Sequence, residues 1–389
     1  MSNDQKFPSA DAGVVQVASS VTDLQQRVRD GQKLLPVGRQ TKAPLAAFAV
    51  DYQAISLNTL SGIQEYEPSE YTFTALAGTP LSEIVAALAS QRQYLPFDPV
   101  LIDQGATLGG TVGSGINGPG RQRYGGLRDF ILGAEIVTGD GHLVSTGGKV
   151  VKNAAGFDVP KLMVGSCGRL GILTSLTFKV FPAPPFQLSG GVVCQNVQDA
   201  CQVIAQLAAG RWELDAIDFD PQAMMVYFRL AGPEAACLQL AANLQQHLGR
   251  EVAMLPELDH WSQIAQLRCF SSSHSLVARL PADLSLIKHL HQFAQQHADE
   301  FAYRVSVAGA LAWLSFSHGV LAEFQAFLSQ HQAAALVIRQ EGGDRVTQPL
   351  LGARQVSTSQ QSVQQAIKLA MDPTQAFPPL LDFVPIAAQ

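Results

Sequence analysis

Eighteen of the chain's 33 glycines fall between residues 105 and 180, and no other feature restricts so strongly what this chain can become. The stretch opens with Gly105-Ala106-Thr107-Leu108-Gly109-Gly110-Thr111-Val112-Gly113-Ser114-Gly115 and closes with Gly165-Ser166-Cys167-Gly168-Arg169-Leu170-Gly171-Ile172-Leu173-Thr174. The same window holds eight Lys/Arg against four Asp/Glu, although the whole chain carries a net charge of -6. Glycine lets backbone approach a ligand closely and adopt positive φ, and successive peptide N–H groups in such turns form concave anion nests. A dinucleotide pyrophosphate is the natural occupant. The competing reading is a loop-rich β domain whose glycines serve turns alone. A second turn of similar shape, Gly38-Arg39-Gln40-Thr41-Lys42, follows the apolar run Leu34-Leu35-Pro36-Val37. It reads as a phosphate-holding turn or as a plain surface loop.

Inside the stretch, Gly113, Gly115 and Gly118 match the spacing GxGxxG. A Rossmann site would need a β-branched strand before this motif and an amphipathic helix after it. Here the motif follows Thr-Leu-Gly-Gly and runs into Pro119-Gly120-Arg121-Gln122-Arg123-Tyr124-Gly125-Gly126, where no helix is expected. Phe130 to Thr138, the turn Gly139-Asp140-Gly141 and His142 to Ser145 spell a β-hairpin, and a strand over 172–180 ends at Phe181-Pro182. Upstream, Val21, Leu24 and Val28 give a helix capped by Ser20 or Thr22, and Thr79-Pro80 opens a second helix with Thr79 as the cap. Beyond Pro184-Pro185 glycine becomes rarer, and strand-like runs alternate with Gln-, Ala- and Leu-rich helices. That texture predicts an α+β unit with helices over an antiparallel sheet.

At 389 residues the chain is long enough for two or three domains. Its acidic balance and the lack of a basic stripe argue against general nucleic-acid binding. No run of about 18 apolar residues is present, so no direct membrane insertion is expected. Met1 to Ala12 is a polar lead without the apolar run of a secretory signal. Five cysteines without CxxC spacing fit a reducing cytoplasm and predict no metal or iron–sulfur site made by this chain alone. Each of the nine histidines reads as an ordinary surface or satisfied ring, with His260 and His274 in polar loops, so the catalytic residues are unknown and no general base is assigned.

Five segments, Pro36 to Lys42, Thr107 to Gly110, Tyr124 to Asp129, Gly156-Phe157-Asp158 with Leu162, and Gly168 to Thr174, occur in the order found in FAD-binding proteins of the vanillyl-alcohol oxidase (PCMH) type. The chain resembles that family over residues 20–182 and again near Met371 to Pro379. Within it, Gly148 to Asp158 and Lys161 to Gly168 are similar to the E subunits of bacterial glycolate oxidase. The resemblance implies an α+β fold: a two-lobed FAD-binding domain over 13–185, with a small lobe over 13–100 and a glycine-rich lobe over 101–185. A smaller α+β cap over 186–340 and a C-terminal return over 341–389 would follow. It further implies that Gly38, Arg39, Gln40, Thr41 and Lys42 supply the pyrophosphate turn. Thr107, Gly109, Gly110, Gly113 and Ser114 would line the phosphate and ribityl side. Gly171 and Ile172 would hold the adenine end, and Gly156 and Asp158 the wall nearer the flavin. Arg128 would neutralise phosphate or brace its loop against Asp129. No histidine stands in the 38–42 turn, where covalently flavinylated relatives carry one, so the FAD is expected to be non-covalent.

The implied function is that of an FAD-binding subunit of a glycolate oxidase complex. Its partners would be a sister FAD-containing catalytic subunit and an iron–sulfur subunit, with a small 2-hydroxy acid as substrate. Its location would be cytoplasmic, membrane-associated only through partners, and its flavin would relay electrons or stabilise assembly. Relatives that dehydrogenate 2-hydroxy acids carry a His-x-Gly-Asp-Gly-Asn-x-His element, whereas the comparable region here reads Ser306-Val307-Ala308-Gly309-Ala310-Leu311-Ala312-Trp313. Pro378 also stands where relatives place Asn. A free-standing dehydrogenase and a redox-silent FAD scaffold are the alternatives. Oxidising a 2-hydroxy acid usually calls on an arginine to grip the carboxylate, and Arg279, Arg304 and Arg345 are the candidates.

Overall fold

The structure is a computed structural model that describes residues 15–46, 51–148, 157–255, 259–270, 274–341, 349–352 and 357–380. Strands β1 (Gln16–Val17), β2 (Leu34–Val37) and β3 (Gln53–Ser56) form a parallel three-stranded sheet in the order β1-β3-β2. Helix α1 (Val21–Arg29) connects the first two. Ser20 caps it by accepting the Asp23 N–H, and Leu24 and Val28 face the core. Strands β4 (Ile63–Glu67) and β5 (Thr72–Leu76) pair antiparallel and leave this sheet. They join the glycine-rich segment in a five-stranded sheet. Its order is β4-β5-β9-β7-β8, where β7 is Ile131–Val137, β8 is Leu143–Gly147 and β9 is Ile172–Lys179. The β7–β8 pair is the expected hairpin, turning at Gly139-Asp140-Gly141. The short strand β6 (Gln93–Tyr94) pairs with β10 (Phe181–Pro182) at the exit from this region.

Two local expectations change, and one stretch without an assigned conformation proves helical. Helix α2 (Leu81–Ser90) has Pro80, not Thr79, at its N-cap position. The Thr79 hydroxyl instead donates to Leu76 O and accepts the Gly62 N–H, tying α2 to the preceding loop. The segment Thr107 to Gly115 is helical: Thr107 accepts the Gly110 N–H as cap of α3 (Leu108–Ser114), and Gly115 closes it at φ +64. Finally, Arg121–Tyr124 forms one helical turn within the run expected to be irregular, bounded by Gly120 and by Gly125 at φ +83.

The remaining strands build one nine-stranded antiparallel sheet, here called the cap. They are β11 (Phe186–Val193), β12 (Ala216–Asp220), β13 (Met225–Gly232), β14 (Ala253–Met254), β15 (Leu276–Pro281), β16 (Phe301–Ser306), β17 (Leu311–Phe316), β18 (Ala334–Gln340) and β19 (Leu350–Gly352). Their order is β14-β11-β13-β12-β16-β17-β15-β18-β19. One face is apolar and packs against the helices Val197–Ala209, Glu234–Leu248, Leu284–Gln296 and Leu321–Gln330. The alternate residues Val277, Trp313 and Ile338 point the other way and belong to the core of the glycine-rich lobe. A buried polar network adds to this junction. Arg229 contacts Asp98 at 2.7 Å, while Asp215 accepts from Arg123 and from the Tyr124 hydroxyl, both at 3.0 Å.

The C-terminal helix Thr358–Met371 returns the chain to the N-terminal lobes. Asp372, buried at its end, accepts the N–H groups of Ala376 and Phe377 and pairs with Lys368 at 2.5 Å. The turn so formed lets Ala376 O accept the Leu34 N–H, and Met371 O the Gly139 N–H. Asp372→Ala is expected to lower unfolding stability by about 2–3 kcal/mol, because it strands the Ala376 and Phe377 N–H groups and takes the counter-charge from Lys368, whose ammonium keeps the carbonyls of Arg169, Phe377 and Pro378 as acceptors. Chemical denaturation of the two proteins checks this.

Candidate functional site

The three-stranded sheet, α3 and the loop before β9 line a cleft that opens to solvent. Its floor is the turn Gly38 to Lys42. Gln40 adopts φ +54, and the N–H groups of Gly38 to Lys42 have no hydrogen-bond partner among the described residues. A run of unpartnered N–H groups beside a cleft is the raw material of an anion nest. Lys42 is 8% exposed, and among the described residues its ammonium donates only to the Thr41 hydroxyl, at 3.2 Å. Burial pushes it down to about 8, with the neighbouring Cys167 opposing. Among the described residues no carboxylate lines the cleft; Arg39 and Lys42 are its charged groups. Leu35, Leu45, Leu57 and Leu173 give it apolar walls, and the buried Ser166 hydroxyl is left without a partner. An elongated ligand with a diphosphate and flat apolar rings fits this donor set, so the residues present suit FAD.

Gly38, Arg39, Gln40, Thr41, Lys42, Thr107, Gly109, Gly110, Gly113, Ser114 and Gly171 all line the cleft. Not all offer free N–H groups, however. Gly109 N donates to Ala77 O at 2.7 Å, and Gly110 N to Thr107 Oγ1 at 3.2 Å. Gly109 is required for space instead, since a Cβ there would sit 2.8 Å from the Ala77 methyl. Ile172 is fully buried in the sheet core, while its neighbours Gly171 and Leu173 face the cleft, as strand alternation requires. Arg128 is exposed on the short helix Leu127–Phe130, and Asp129 accepts the Gly126 N–H. Asp158 caps the helix Val159–Met163 and pairs with Lys161 at 2.7 Å, away from the cleft lining. Gly156 lies outside the described residues.

Ser166, Cys167 and Gly168 complete the cleft and were not singled out as site residues by sequence. The available signal was the glycine pair around them: Cys167 itself takes φ +48, between Gly165 at +87 and Gly168 at +72. Arg169 holds this loop from behind, donating to Leu45 O and Cys167 O. Burial pushes the Cys167 thiol up against the pull of Arg169, Arg279 and Lys42. The three candidate carboxylate arginines separate. Arg304 is paired with Asp220 at 3.0 Å, Arg345 lies outside the described residues, and Arg279 donates to Gly115 O at 3.4 Å. His260 and His274 are buried, His260 at the start of the helix His260–Ala265 and not in a polar loop, and His274 as a ring with hydrogen-bond partners. His260 stacks on Tyr227 with its Nε2 3.5 Å from Asp218, and His274 bonds Ser315.

Residues 12–147 match the family described as "FAD binding domain". Glycolate oxidase subunit GlcE of Escherichia coli (strain K12) is 37% identical over 273 residues, which cover 68% of this chain and 73% of that protein. Glycolate oxidase subunit GlcD of Bacillus subtilis (strain 168) is 30% identical over 152 residues, covering 39% of this chain and 32% of that protein. D-lactate dehydrogenase of Anaerostipes hadrus is 30% identical over 165 residues, 42% and 34% of the two chains. Among solved structures, alkyldihydroxyacetonephosphate synthase superposes with a TM-score of 0.68 at 14% identity, covering 92% of this chain and 75% of that one, which establishes a common fold. Fold, cleft and family match together define an FAD-dependent oxidoreductase of the PCMH type. Across three quarters of its relative's length, the similarity to GlcE is family membership: this chain belongs to the glycolate oxidase subunit GlcE family.

Proposed function

We propose that this chain is the FAD-binding E subunit of a multi-subunit glycolate oxidase, working beside a sister FAD-containing catalytic subunit and an iron–sulfur subunit on the oxidation of glycolate to glyoxylate. The observation that carries the reading is the cleft of a GlcE-family chain, with an unpaired N–H nest, a buried ammonium and no acid in its lining. The 38–42 nest and Lys42 would hold the diphosphate, Ser166 would donate to it or to the adjoining chain, and the leucine walls would exclude water from the rings. When bound, FAD supplies a two-electron acceptor there. The cap sheet packs against the N-terminal lobes through Val277, Trp313 and Ile338, and a small acid would be met at that junction. Among the described residues no helix is long and apolar enough to cross a membrane, so any membrane attachment is assigned to the partner subunits.

The test is co-expression with the two sister subunits and assay of glycolate-driven reduction of an artificial acceptor. Activity should require this chain, and a variant that no longer holds FAD should fail to support it. Full activity without this chain would overturn the proposal. Full activity with a cofactor-free variant would leave a redox-silent scaffold.

A further inference from the structure

Strands β15, β17 and β16 lie side by side, and their register sets Arg279 opposite Trp313 and Trp313 opposite Arg304. All three residues therefore share the cap face turned toward the N-terminal lobes, while Ala278, Leu280, Ala312 and Leu314 enter the helix-side core. At one end of the row Arg304 is satisfied by Asp220 and by Gln222. At the other end, Arg279 faces no carboxylate among the described residues, and its one bond is the long contact to Gly115 O. Between them Trp313 is fully buried, and its indole N–H has no acceptor among the described residues. Gly115 ends α3 directly after Ser114, which lines the cleft, as does Cys167.

A half-buried guanidinium without an anion and a fully buried indole without an acceptor are each costly. The two deficits stand at paired register positions on adjacent strands, where one acceptor-only group would serve both. A carboxylate suits this best, because it accepts a bidentate pair from arginine and keeps a lone pair for a second donor. The nearby thiol of Cys167 does not fill that role, since burial keeps it protonated, and Arg121 adds further positive charge.

We infer that Arg279 and Trp313 form a carboxylate-binding subsite belonging to this chain, where the cap meets the Ser114 end of the cleft, with small 2-hydroxy acids as its ligands. The inference rests on the flavoprotein reading above and goes beyond it: the subunit meets a 2-hydroxy acid itself. Discrimination comes from charge, so an uncharged diol of the same size binds poorly.

The test titrates the purified chain with oxalate, an unreactive dicarboxylate, and with ethylene glycol. Binding is read by calorimetry and by displacement of the flavin absorption bands. Wild type should bind oxalate saturably and ignore ethylene glycol. Arg279→Met should weaken oxalate binding by about 30-fold, Arg279→Lys by less, and Trp313→Phe by about fivefold, all with FAD content unchanged. Yellow protein blind to oxalate would overturn the inference, as would oxalate binding indifferent to Arg279→Met. Loss of FAD from Arg279→Met would assign the guanidinium to the cofactor instead. Colourless wild type would contradict the flavoprotein reading, a different failure, and calorimetry with oxalate would still decide the subsite.

Discussion

Gly38→Val is expected to cost at least about 100-fold in FAD affinity, roughly 3 kcal/mol. A Cβ at this position would stand 2.4 Å from Thr107 Oγ1 and 3.4 Å from its methyl. Either the turn shifts away from α3 or the Thr107 side chain gives up its place as the α3 cap, and both disturb the wall of the cleft. Gly38→Ala should show the same defect more weakly. Adding Thr107→Ala removes the atoms in conflict and should restore part of the affinity, at the cost of the α3 cap, about 1 kcal/mol. Equilibrium titration of apo protein with FAD measures all three. If Gly38→Val binds FAD like wild type, the turn does not hold the cofactor.

Lys42 gives the second large effect, and its sign follows from burial. Its ordinary value of 10.5 is lowered to about 8 in the folded chain without ligand. Below pH 8 the apo fold bears a buried charge, so apo stability should rise as pH climbs from 8 toward 10.5. FAD binding runs the opposite way, because a diphosphate favours the charged ammonium. Affinity should be flat with respect to this group below pH 8 and fall by up to tenfold per unit above it. Lys42→Met should bind FAD about 100-fold more weakly at pH 7 and lose the alkaline limb of the profile. An unchanged alkaline limb in Lys42→Met would show that another group titrates.

How much of this was legible in sequence differs from residue to residue. The turn after Val37 could be read directly, because a strand followed by Gly-Arg-Gln-Thr-Lys leaves few local partners for its N–H groups, and none among the described residues takes them. The run Thr107 to Gly110 illustrates the reverse. Its glycines line the cleft, but the N–H groups of Gly109 and Gly110 are spent on Ala77 O and the Thr107 hydroxyl, and what glycine supplies at 109 is clearance beside Ala77. Composition shows that backbone comes close to something; it does not show whether that neighbour is ligand or protein. Strand alternation would have separated Gly171 and Leu173 from Ile172 once the cleft side was known, but the sequence does not mark which face is which.

The cap was harder still. Helices over an antiparallel sheet were legible from periodicity. The meeting of Arg279 with Trp313, or of His260 with Asp218, depends on a strand order that runs β12-β16-β17-β15 in space, and no local pattern encodes such long-range neighbours. The same holds for Asp215, fully buried between Arg123, Tyr124 and Arg229, whose partners come from both sides of the junction.

The account's central claim is that the cleft between the 38–42 turn and the 166–173 loop holds FAD without a covalent bond. Acid precipitation of the purified, full-length chain tests it most directly, with the released chromophore identified by its spectrum and chromatographic mobility. The account predicts free FAD in the supernatant, close to one per chain, from wild type and almost none from Gly38→Val. Colourless protein that takes up no FAD, or flavin that stays with the precipitate, would contradict it.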